Sequence, residues 1–226
     1  MNTPHRVVSR MCAQSLLVLS CTLLTAGPAA TAHASAPPKP AAAKQSSCAK
    51  RALAYAEALE PVIEAVTDGL PKSVPAESAK AQTWWTQHRS HYAGQAALDT
   101  AMREVKTHSA ASHPSLAARS ALVGSIAAIE ACPEPRSDEE RLMLLDLLGM
   151  AGWLRAQGVD ASFPVEGQTS MQTIGKHLRA KGKTALADQL EKDVAATLQI
   201  PVAKSGNLKA ANSVLKLVDD AQLALL

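Results

Sequence analysis

From Cys48 onward, apolar residues recur at intervals of three and four, in stretches separated by proline and glycine. That spacing is the signature of a helix with one buried stripe, and the two-residue alternation of a half-buried strand is nowhere sustained. Tyr55, Leu59, Val62, Ile63, Val66 and Leu70 predict a first helix over 48–68, with Pro61 inside it and Gly69 and Pro71 at its end. Pro75 suits the first turn of a second helix, and Glu77 complements the positive helix end. Its stripe is Ala81, Trp84, His88, His91, Gln95, Leu98, Met102 and Val105. Read to His108, this second helix is about 50 Å long, a spine with Gly94 as the place to bend.

His113-Pro114 opens a third helix, in which Leu116, Val123, Ile126 and Ile129 are apolar, ending at Cys132-Pro133. Ser137-Asp138-Glu139-Glu140 is a capping box and starts a fourth helix that Gly158 can close. Leu142 to Leu154 is apolar on nearly every face, which marks this helix as central and buried. A short fifth helix from Thr169 or Ser170 ends at Gly182, a sixth stops at Pro201, and a seventh follows from Leu208. The expected fold class is all-α: an irregular bundle of six or seven helices around the long second one.

Composition agrees. The 226 residues are 47% apolar and only 3% aromatic, which disfavours a β-sandwich or barrel and leaves Ala and Leu to favour helix. The first 34 residues stand apart from the fold. A basic start (His5, Arg6, Arg10), an apolar run from Cys12 to Gly27 and Ala32-His33-Ala34 make a cleavable export signal, with Ser35 as the mature terminus. The apolar run falls short of the roughly twenty residues a membrane helix needs. Lipidation at Cys21 is the weaker reading, because Leu19 fits a lipobox poorly. Residues 35–47, with three prolines and no large apolar side chain, read as a solvated tether. Residues 48–226 then form a single helical domain.

Removing the signal leaves 21 basic and 20 acidic residues, so the basic balance of the whole chain is no argument for nucleic acid. It also leaves two cysteines, Cys48 and Cys132, which in an exported chain are expected to form one disulfide. A rise of about 32 Å, a descent of about 50 Å and a return of about 27 Å along three unequal helices bring the pair to similar heights.

Enzyme signatures fail on inspection. Gly182-Lys183-Thr184 lacks the first glycine of a phosphate loop, since His177 stands there. Two SxxK matches, Ser47 to Lys50 and Ser213 to Lys216, lack their KTG partner, and HExxH, GxSxG and ExxH do not occur. His88 and His91, three apart on one helix face, read as a boundary pair, partly solvated or hydrogen-bonded within the bundle. As functional groups they are candidate ligands for zinc or copper, or an acid–base pair, with Asp146 in the apolar helix as a third group. Glu57, Glu60 and Glu64 read as a wet helix face. Lys176, His177, Arg179, Lys181 and Lys183 form a basic cluster that reads as a solvated face or as a surface for an acidic partner, a polyanionic envelope polymer or a lipid surface. Trp85, beside the stripe residue Trp84, is a second-face core contact or a candidate anchor. The expectation is an exported protein, periplasmic or secreted, with no cofactor, that acts by binding another protein as a binder, inhibitor, immunity-type factor or envelope accessory. The rival is a metal- or cofactor-binding protein, an enzyme among the options, centred on His88, His91 and Asp146.

Overall fold

The helical spacing is realised throughout. In the computed structural model, which describes residues 40–204 and 208–226 (side chains from residue 47), every regular element is a helix. The signal region and residues 35–39 lie outside the described residues. The α-helices are α1 (Pro40–Thr67), α2 (Val74–His88), α3 (Ala96–Ala110), α4 (Pro114–Glu130), α5 (Asp138–Ala156), α6 (Gly167–Ala180), α7 (Thr184–Thr197) and α8 (Leu208–Leu225). Single 3₁₀ turns at Pro71–Ser73 and Arg89–Tyr92 flank α2. Helix α1 begins inside the stretch read as a tether. A proline is tolerated in a first helical turn, and the alanines that follow are the strongest helix formers.

The long second helix does not form. It is two helices, α2 and α3, joined by the Arg89–Tyr92 turn, an extended Ala93 (ψ 132°) and Gly94 at φ +85°. The reason is tertiary. In one continuous helix Trp85 and Tyr92 would stand about 10 Å apart along the axis, whereas their ring centroids are 5.4 Å apart here. Breaking the helix folds Tyr92 back onto Tyr55, at 5.7 Å, and its hydroxyl donates to the Arg51 carbonyl at 2.7 Å. Gln82 then ties the two halves together by donating to the Met102 carbonyl at 2.7 Å.

Helix α5 is central, as its sequence demands. Met143, Leu144, Leu147, Met150 and Leu154 enter a core with α1 to α4, while Leu142, Leu145 and Leu148 enter a second core with α6 to α8. One helix apolar on every face thus serves two cores. Its capping box is formed: the Glu140 N–H donates to the Ser137 hydroxyl, and the Ser137 N–H donates to the Glu140 carboxylate at 2.8 Å.

The predicted disulfide joins Cys48 to Cys132, with Cα atoms 5.7 Å apart. The broken second helix means that the height argument is not what brings the pair together. Helices α1 and α4 pack directly on each other and run antiparallel. Seven residues after Cys48, Tyr55 lies against Gly124, eight residues before Cys132; a Cβ at Gly124 would meet the Tyr55 hydroxyl at 2.9 Å and the Ala101 Cβ at 2.7 Å. Glycine is what lets these elements approach so closely. Among the described residues no helix is long and apolar enough to cross a membrane.

Candidate functional site

Four of the six aromatic residues gather where α1, α2 and the Arg89–Tyr92 turn meet. Tyr55, wholly buried, is the centre: Trp85 packs on it edge-on at 5.4 Å and Trp84 at 6.2 Å, and its hydroxyl donates to the Leu98 carbonyl at 3.1 Å. Burial pushes the Tyr55 phenol well above its ordinary range, with Tyr92 and Asp99 adding to the shift. Of the two readings of Trp85, core contact or anchor, the fold selects the core contact. Trp85 is the core residue, only 7% exposed, and Trp84 is the half-buried one. Neighbours about 100° apart on a helix cannot both face Tyr55 equally, and Trp85 wins. It is therefore a packing residue and no surface anchor.

Trp84 instead carries His88, whose ring stacks on it at 4.6 Å and 18°. His91 is exposed, with its ring centroid 6.0 Å from that of His88. Asp146 does not join them as a third ligand. It is buried (6% exposed) on α5, which packs on α1, α4, α6, α7 and α8, whereas α2 packs on α1, α3 and α4. Among the described residues no group of three or more His, Cys, Asp or Glu is placed to hold a metal ion. Nor are Glu57, Glu60 and Glu64 one wet face, since Glu60 is buried and Glu57 alone is exposed.

The basic cluster spans α6 and the turn after it; Lys176 and Lys183 are exposed, and the other three residues make contacts within the fold. Arg179 bridges Glu191 at 2.6 Å and Asp188 at 2.6 Å on α7, His177 meets Asp138 at 2.9 Å, and Lys181 donates to the Leu225 carbonyl. A cleft of about 260 Å³ lined by Pro71, Val74, Pro75 and Pro114 has Lys72 as its one charged lining group, so it holds no acid–base pair.

The strongest polar assembly was not visible in the sequence. Arg136, between the disulfide and the capping box, has a side chain only 1% exposed. Its guanidinium donates to the carbonyls of Ile129 (2.6 Å), Cys132 (3.2 Å) and Glu130 (3.3 Å), closing the C-terminal end of α4. It also holds Glu166 at the start of α6 in a two-pronged pair (Nη2 to Oε1 2.6 Å), with Glu134 at 3.3 Å and Glu140 at 3.8 Å. The bond to Arg136, more than its charge, holds the Glu166 carboxyl below the usual range. Only an arginine in a polar turn next to two prolines hinted at this in the sequence.

The clamp fixes the loop before α6 along the outer edge of α4. Arg119 donates to the Asp160 carbonyl at 2.6 Å, and the Val165 N–H donates to the Glu130 carboxylate at 2.7 Å. Along this edge Leu116 is 38% exposed, Val123 43% and Val165 87%. The apolar residues read as one stripe of the third helix therefore divide, with Ile126 and Ile129 inward and Leu116 and Val123, two turns apart, outward. No protein family, curated protein or solved structure matches the chain.

Proposed function

We propose that the chain is an exported, non-catalytic interaction protein that engages another protein through the outer edge of α4. The observation that carries this reading is the row Leu116, Val123 and Val165, three large apolar side chains in water. From Leu116 to Glu130, where Val165 is held, the edge is about 21 Å long. It is also held in shape: Arg119–Asp160, Glu130–Val165 and Arg136–Glu166 fix loop to helix. A contact surface ordered before binding loses little conformational freedom on association. Export is supported by the basic, apolar and small-residue order of residues 5–34 and by a disulfide between residues 84 apart, a bond that persists in oxidising compartments.

Two experiments test the reading. Intact mass of the protein recovered outside the cytoplasm is expected to place its first residue at Ser35. A photo-crosslinking residue at Val123 or Val165 is expected to capture one and the same protein in cells, with no such product from Lys192 on α7. Equal capture from all three positions, or Val123→Glu and Val165→Glu variants that keep the Val123-edge complex intact, would refute the assignment.

A further inference from the structure

The change from α-helix to 3₁₀ helix at the end of α2 alters the relation between His88 and His91. Side chains three apart eclipse each other in a 3₁₀ turn. His88 stands at the N-terminal edge of the Arg89–Tyr92 turn, and His91 lies within it. Their ring centroids are 6.0 Å apart and their planes 68° apart. A bound metal ion sits about 2.0 Å from an imidazole nitrogen, hence about 3.2 Å from the ring centre, so two rings lie about 4.5 Å apart on neighbouring positions of a tetragonal ion and about 5.2 Å apart on a tetrahedral one. The observed separation is wider by about 1 Å, a gap that a side-chain rotation of the exposed His91 closes.

His88 is also set up chemically. Its Nδ1 lies 2.7 Å from the Trp84 carbonyl, which can only accept, so Nδ1 carries a proton and, in the neutral ring, Nε2 is the nitrogen with the lone pair. An N–H held by a backbone carbonyl is the outer arrangement that fixes tautomer and orientation in metal-binding histidines. Stacking on Trp84 holds the ring plane. Exposed His91 brings a second imidazole from the solvent side, and Arg89 between them is paired with Asp99 at 2.8 Å, which balances its charge. Among divalent ions, a site of two imidazole nitrogens completed by water favours Cu²⁺.

We propose that His88 and His91 form a two-imidazole chelate for a divalent transition-metal ion, Cu²⁺ before Zn²⁺, at the edge of the Trp84 ring. It needs no third side chain, and Asp146 has no part in it.

Untagged protein beginning at Ser35, and so without the thiols of Cys12 and Cys21, is titrated with Cu²⁺ in the calorimeter against glycine as a weak competitor and is expected to bind one ion. Electron paramagnetic resonance of that complex should show nitrogen coupling, and tryptophan emission should fall as the ion binds. His88→Gln and His91→Gln should each weaken Cu²⁺ binding at least about tenfold, since loss of an outer partner alone costs that much. His113→Gln, at an exposed position before α4, should leave binding unchanged. If His88→Gln disturbs the stacking on Trp84, His91→Gln decides the matter, because that ring is exposed and its loss leaves the helical signal intact. Parental Cu²⁺ affinity in His91→Gln, or an ion that follows His113 or the amino terminus, would overturn the proposal.

Discussion

Replacing Arg136 by methionine removes one side chain and dismantles three features at once. The α4 carbonyls of Ile129, Glu130 and Cys132 lose their donor, Glu166 loses its partner, and Glu140 loses a nearby positive charge. Breaking one side of a buried ion pair costs about 3–5 kcal/mol. Glu166 is 28% exposed, so water compensates part of its loss and pulls the cost toward the lower figure. The carbonyls pull the other way, because a buried acceptor left without a donor costs about 1–3 kcal/mol. The expected destabilisation is therefore about 4 kcal/mol. For a domain of this length that lowers Tm by about 8–16 °C. Urea unfolding followed at 222 nm, with the disulfide intact, measures it, and an unchanged slope would show that the unfolded state is not the cause. Arg136→Lys keeps the charge but not the planar fork, and should recover less than about half. Acid supplies a second readout. The Glu166 carboxyl is held low in the folded state, so its contribution is complete above the ordinary carboxylate range and is lost as pH falls through the depressed value. Glu166→Gln should flatten that acid limb. An Arg136→Met protein within about 1 kcal/mol of the parent, or full recovery by lysine, would refute the reasoning.

Three further outcomes follow. Cys48→Ser/Cys132→Ser opens a link between residues 84 apart, and loop entropy puts the loss at about 4–5 kcal/mol, to be measured by the same unfolding experiment. Gly94→Ala places a side chain at φ +85° in open space, so the cost is backbone alone, about 1–2 kcal/mol. A gain in stability and helicity there would mean that glycine, and not the aromatic packing, breaks the long helix. Both tyrosines should stay neutral well past the pH at which a free phenol ionises: burial pushes Tyr92 up to about 12 against the opposing charge of Arg51, and Tyr55 further. The unfolded chain ionises near pH 10, so stability should fall above that value, and absorbance at 295 nm should rise only with unfolding. A native titration centred near pH 10 would contradict the buried aromatic cluster.

What the sequence determined by itself was local. The 3-4 spacing, the Ser137–Glu140 box, Gly158 and the all-apolar run of α5 concern groups within a turn of each other, and their physics is complete without a third dimension. The cysteine pair was legible too, for a different reason: with the signal removed, only two candidates were left to join. Tertiary structure decided the rest, because each remaining choice was a competition between distant groups. Trp84 lies on the 3-4 stripe and Trp85 beside it, and only the position of Tyr55 makes Trp85 the more deeply buried of the two. Residues 75–108 carry a helical stripe throughout, but bringing Tyr92 to Tyr55 outweighs continuing the helix past Gly94. Arg136 is one polar residue in a turn until α4, α5 and α6 converge on it. A guanidinium can be buried only where carbonyls and carboxylates from several elements surround it, and that convergence exists only in the fold.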